Sequence, residues 1–149
     1  MTGDQCDKQL PTESDFVVHG SLDEKAACGR MLGKTKGEVR MLLEENFLRY
    51  QEDFMWMGPA AFCYYIDAMI DYITSSYDRD EAWTYVRVCD FRLGDGMADR
   101  MRPCATRVAD SLDWVAKQML AQEAEQAKLV EQTRDAYRRL ADGEGRCRS

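Results

Sequence analysis

The sequence predicts an all-α fold: a compact bundle of about five or six helices around a central aromatic-rich helix. Three observations predict it. Apolar residues recur at three- and four-residue spacing over most of the chain, which is the period of a helix with one buried face. Ser21 with Glu24 and Thr35 with Glu38 match the pattern in which a hydroxyl and a carboxylate three residues on cap each other's backbone N–H groups. Finally, an apolar run from Pro59 to Ile73 contains no breaker.

Met1 to Ser14 is polar and aperiodic and is expected to be a flexible arm. Residues 15–142 form the single helical domain, and 143–149 a frayed tail. The Ser21 pattern opens a helix through Leu32, closed by Gly33, and the Thr35 pattern opens one from about Lys36 to Asp53 with Val39, Leu42, Leu43, Phe47, Tyr50 and Phe54 on its apolar side. Gly58-Pro59 supplies a turn and a proline preset for the first helical position. The stripe that follows is Phe62, Tyr65, Ile66, Met69, Ile70, Ile73 and Tyr77, with Asp67 and Asp71 on a wet edge. Ile66, Met69 and Ile70 are expected to be almost fully buried.

Asp78 with Glu81 caps a further helix to Leu93, ended by Gly94-Asp95-Gly96. The β-preferring Thr84, Val86 and Val88 would also suit a strand, but a lone strand has no partner. From Pro103 to Ala141 there is neither glycine nor proline except at the start. The apolar line lapses at Gln122 and Gln126, so a kink or break is expected between Ala121 and Lys128.

Composition narrows the function. Lys and Arg number 20 against 27 Asp and Glu, a net charge of −7, which repels nucleic-acid phosphates and anionic lipid. No run reaches the roughly 18 apolar residues of a membrane span, and the N-terminus lacks the basic start and apolar core of a secretory signal. The expected location is the cytoplasm, with no nucleic-acid or membrane partner. The six cysteines are scattered without a C-x-x-C and are expected to be reduced, Cys63 and Cys89 acting as small core hydrophobes. Gly29 to Thr35 looks like a phosphate loop, but Cys28 stands where the pattern needs glycine. With His19 as the sole histidine, zinc sites and His-dependent nucleophilic catalysis are not expected, and no cofactor is implied.

Two candidate surfaces remain. Phe54, Met55, Trp56, Met57, Phe62, Tyr64, Tyr65 and Tyr72 crowd into a short stretch, and Trp56, Met57 and Tyr64 are the members least fixed by periodicity. Tyr and Trp offer apolar area with a polar tip, which suits binding. Glu52, Asp53, Asp67 and Asp71 are carboxylates on adjacent helices that would bind magnesium if their oxygens converged. The aromatic region from Trp56 to Tyr64, together with these neighbouring acidic residues, points to a non-enzymatic interaction or immunity-like module for another, basic protein. The second surface by itself points to a magnesium-dependent enzyme or small-ligand binder. The sequence leaves the oligomeric state open.

The run Trp56-Met57-Gly58-Pro59-Ala60-Ala61-Phe62-Cys63-Tyr64-Tyr65, with Gly33-Lys34-Thr35 and Glu38-Val39 before it, resembles small uncharacterised bacterial helical proteins of the domain-of-unknown-function type. The resemblance covers the middle third of the chain and implies a helix opening at the proline. It implies no activity or catalytic residue set. Where similar runs continue with Leu-Pro after Tyr-Tyr, this chain has Ile66-Asp67, so a kink there is not expected.

Overall fold

The computed structural model describes residues 9–143 apart from positions 95, 97 and 121. Among the described residues there are eight α-helices, one 3-10 turn and no strand. The helices are α1 (Glu13–Phe16), α2 (Leu22–Met31), α3 (Lys36–Glu45), α4 (Phe47–Trp56), α5 (Pro59–Ser75), α6 (Arg79–Leu93), α7 (Arg102–Leu120) and α8 (Ala124–Ala141), with the 3-10 turn at Ala98–Met101 before α7. The chain is therefore all-α, with more helices than the five or six expected.

Two departures account for the difference. The single helix expected from Lys36 to Asp53 is broken at Asn46, which takes extended backbone angles and accepts the Arg49 N–H at 3.1 Å, ending α3 and capping α4. The expected arm gives way at Thr12 to the short helix α1, whose Phe16 is wholly buried. Met1 to Lys8 and the tail beyond Gly143 lie outside the described residues.

Both sequence capping patterns are made. Ser21 Oγ accepts the Glu24 N–H at 3.1 Å while the Glu24 carboxylate accepts the Ser21 N–H at 2.8 Å, and Thr35 and Glu38 repeat the exchange. Glu24 does more than cap. Its carboxylate also accepts the N–H groups of Val18 and His19, each at 3.0 Å, so it pins the loop that enters α2. Burial alone would raise its pKa, but the hydrogen bonds from Ser21, His19 and Val18 outweigh that and hold it low. Gly33, at φ +83°, ends the α2 segment, and Thr35 starts α3, so the Gly29–Thr35 stretch is a helix connection.

Helix α5 packs against α1, α3, α6, α7 and the 3-10 turn. Phe62, Tyr65, Ile66, Met69 and Ile73 of its stripe are buried, as spacing requires. Ile70, at the edge of the stripe, is only half-buried although Ile73 beyond it is covered, and Tyr77 lies past the end of α5 and is exposed. The Tyr65 hydroxyl donates chiefly to the Lys34 carbonyl at 2.6 Å, with the Met31 carbonyl, which also accepts the Lys34 N–H, at 3.1 Å, tying α5 to the turn that follows α2. Burial pushes its phenol up to about 12.

Gly58 precedes α5 where the chain passes against α1. Its N–H donates to the Phe16 carbonyl at 2.8 Å, and a Cβ there would collide with the Asp15 carbonyl oxygen and stand 3.0 Å from Val18 Cγ2. The backbone angles (φ −59°, ψ 160°) are open to any residue, so glycine is required for space alone. Gly58→Ala is expected to push α1 off α5 and cost about 1–3 kcal/mol, the usual range for overpacking. Thermal denaturation with and without the substitution checks this, and an unchanged midpoint would show that α1 contributes nothing to stability.

α6 is a helix and not the alternative strand, with Ala82, Tyr85, Val86, Val88 and Cys89 buried. Tyr85 and Ser111 share a 2.5 Å hydrogen bond, and the Tyr137 hydroxyl donates to the Cys89 carbonyl at 2.8 Å, tying α6 to α7 and α8. The break expected after Ala121 falls between Leu120 and Ala124, so α7 and α8 are separate. Arg134 pairs with Asp113 at 2.7 Å and Arg138 with Asp110 at 3.5 Å, the reversed order of two antiparallel helices.

The cysteine expectation needs correction. Cys63 and Cys104, 41 residues apart, form a disulfide between α5 and α7 with Cα atoms 5.1 Å apart. Sequence spacing carries no trace of it, since helix packing alone brings the two together. Cys28 and Cys89 are buried free thiols, and burial pushes the Cys89 thiol up to about 12.

Candidate functional site: an aromatic groove along α6

Arg79, Trp83, Arg87 and Phe91 stand four residues apart on α6, hence along one line spanning roughly 18 Å. This line lies away from the Ala82, Tyr85 and Cys89 side that meets the core. Three adjoining depressions run beside it. One of about 250 Å³ lies between Arg79, Trp83, Met119 and Glu123. The next, about 360 Å³, shares Trp83 and is walled by Met55, Val86, Phe91, Leu129 and Thr133. The last, again about 250 Å³, shares Met55 and Phe91 and reaches Trp56, Gly58 and Arg92.

Several of its apolar side chains stay in contact with water. Trp56 is 39% exposed, Phe91 37% and Leu129 44%. Trp56 and Phe91 meet edge to face, with ring centroids 5.3 Å apart, so the two rings hold each other without being covered. Beneath them the guanidinium of Arg92, 2% exposed, sits 5.1 Å from the Phe62 ring centroid. It donates to the Met55 and Phe54 carbonyls at 2.7 and 3.3 Å, which places a cation at the C-terminal end of α4. The end of α4 that carries Trp56 is thereby fixed. Arg79 pairs with Glu123 at 3.3 Å at the far end, closing the groove toward α8.

Of the residues singled out in sequence, only Trp56 lines this groove as an exposed side chain. Met57 lines the last depression yet is wholly buried, a correction with a simple cause: α4 ends at Trp56, and the extended backbone of Met57 turns its side chain inward. Tyr64 is half-buried in a separate depression with Lys36, Cys63, Asp67, Pro103 and Arg107, its ring 4.7 Å from the Lys36 ammonium.

The four carboxylates do not converge. Asp53, 1% exposed, accepts two hydrogen bonds from Arg30 Nε and one from Nη2, at 2.8, 3.1 and 2.6 Å, joining α4 to α2. Glu52 beside it is exposed. Asp67 bridges Lys36 at 3.0 Å and Arg107 at 2.7 Å, linking α5 to α3 and α7. Asp71 lies 2.9 Å from Arg40 Nε, close enough for an ion pair though not aligned as a hydrogen bond. The wet acidic edge is thus a row of ion pairs. Among the described residues, no group of three or more His, Cys, Asp or Glu side chains is placed to hold a metal ion.

Phe91, Trp83 and Leu129 are the groove residues that sequence reasoning passed over as a binding surface, while Met55 stands out there only as a member of the aromatic cluster. A signal existed: the four-residue line from Arg79 to Phe91 carries two aromatic rings outside the apolar face of α6. Among the described residues, no helix is long and apolar enough to cross a membrane. No family model, curated protein or solved structure matches the chain.

Proposed function

We propose that this chain is a non-enzymatic protein-interaction module, organised around the aromatic-rich α5, that takes an apolar segment of a basic partner into the α6 groove. The supporting observation is the exposed Trp56–Phe91 pair, continued by Met55, Trp83 and Leu129 over adjoining depressions. Large aromatic side chains already held in place lose little freedom on binding, and such residues dominate interface energetics. The −7 net charge steers a basic partner toward the surface, as an immunity-type or regulatory protein that neutralises a cationic target requires. The pairing of Asp53 with Arg30, of Asp67 with Lys36 and Arg107, and of Asp71 with Arg40 supports this reading over a carboxylate-bound magnesium one.

Selection of displayed peptides against the full chain, followed by tryptophan-fluorescence titration, tests the reading. Selected sequences are expected to share apolar anchors flanked by Lys or Arg. Phe91→Ala is expected to weaken their binding by about tenfold or more, as loss of an interface hot spot does. Peptides bound equally well by Phe91→Ala and by the wild type would rule the groove out.

A further inference from the structure

Outside the groove, the Cys63–Cys104 disulfide adjoins the open depression of about 330 Å³ formed by Lys36, Cys63, Tyr64, Asp67, Pro103 and Arg107. The two sulfur-bearing residues are not equivalent. Cys63 lines the depression and keeps 9% exposure, whereas Cys104 has none. Lys36 and Arg107 both reach Asp67, so two cations face one carboxylate and the depression keeps a positive balance. Arg107 also donates to the Cys63 carbonyl at 2.9 Å, holding a cation beside that residue.

From this geometry we infer that Cys63 is a thiol-exchange site for a small anionic thiol such as glutathione, with Cys104 as its buried resolving partner. The incoming thiol loses its proton to solvent, and its thiolate attacks Cys63 Sγ. A bond forms between the two sulfurs as the Cys63–Cys104 bond breaks. Cys104 leaves as thiolate, takes a proton from solvent and becomes a thiol whose S–H has the Met101 carbonyl as acceptor at 3.3 Å. The small thiol is thereby oxidised into a mixed disulfide and Cys104 reduced, with no net proton change. Reversal by Cys104 restores the disulfide and releases the small thiol. The positive balance around Cys63 favours an anionic thiol and stabilises the attacking thiolate. The Arg107 bridge to Asp67 and the Cys63 carbonyl does not depend on the disulfide, so α5 and α7 stay joined during exchange.

The test uses the full chain with Cys6→Ser and Cys147→Ser, so that neither of these thiols competes with Cys63 and Cys104 for capping. Folded Cys104→Ser and Cys63→Ser versions are treated with glutathione disulfide or with cationic cystamine, and capping is followed by intact mass and peptide mapping. Cys63 in the Cys104→Ser version is expected to be capped about tenfold or more faster than Cys104 in the Cys63→Ser version, as access and thiolate character dictate. Lys36→Gln is expected to slow capping by glutathione disulfide by about threefold or more and leave cystamine unslowed. Equal capping at both positions, or none at Cys63, would overturn the site, and an unchanged preference in Lys36→Gln would overturn the anionic ligand. If either single variant fails to fold, acid-quenching the chain with both cysteines in a glutathione buffer answers the same question: the mixed disulfide must map to Cys63.

Discussion

Arg30→Met is expected to destabilise the chain by about 3–5 kcal/mol, the range for breaking a buried ion pair from the side that leaves the buried charge alone. Asp53 is 1% exposed, and Arg30 supplies each of its three side-chain hydrogen bonds. Against a total stability of roughly 5–15 kcal/mol, that loss threatens the fold. The reverse substitution is milder. Arg30 is 36% exposed, so after Asp53→Leu its guanidinium can turn to water. The double variant is expected to recover much of the loss, because apolar residues of similar volume replace a buried pair at little cost. Urea titrations of the three variants decide the order. Asp53→Leu proving the more damaging would mean that the carboxylate is not the stranded charge.

The second large effect is expected in α5. Ile66 is fully buried, and Ile66→Ala removes methylenes from a packed interior at a cost of about 2–5 kcal/mol. Ile70→Ala, one turn later and half-buried, is expected to cost roughly half as much, in proportion to the area it hides. Asp71 is 62% exposed and faces Arg40 from α3, so Asp71→Ala gives up a surface ion pair and should cost no more than about 1 kcal/mol. Relief of repulsion from Asp67 adds little, since Lys36 and Arg107 already neutralise that neighbour. Chemical denaturation ranks the three variants, and an Ile70→Ala loss exceeding that of Ile66→Ala would contradict the packing.

Helix starts were legible because their causes are local. Ser21 with Glu24, Thr35 with Glu38, and Asp78 ahead of Glu81 act within one turn, and all three caps are made. The long stripe of α5 was legible for the same reason. Asn46 was misread because its neighbours Leu43 and Phe47 keep the apolar spacing across the break, and both are buried. Met57 was misread because periodicity says nothing past the last helical residue. The partners of polar groups were invisible, since Arg30 and Asp53, Arg107 and Asp67, or Cys63 and Cys104 meet only after helices dock. Trp56 stood out by composition, but its neighbour Phe91 comes from another helix.

The walls of the α6 groove come from distant stretches of chain: Met55 and Trp56 from α4, Trp83 and Phe91 from α6, Leu129 and Thr133 from α8. A ribosome that has delivered α4 and α6 has made the aromatic floor but not the side that α8 provides. α7 and α8 are joined by a short connection and pack extensively on each other, so little chain entropy opposes their pairing once both have emerged. The groove is therefore complete only once the segment reaching Thr133 has emerged from the ribosome, and a nascent chain that stops short of it offers the aromatic floor without the wall that α8 supplies.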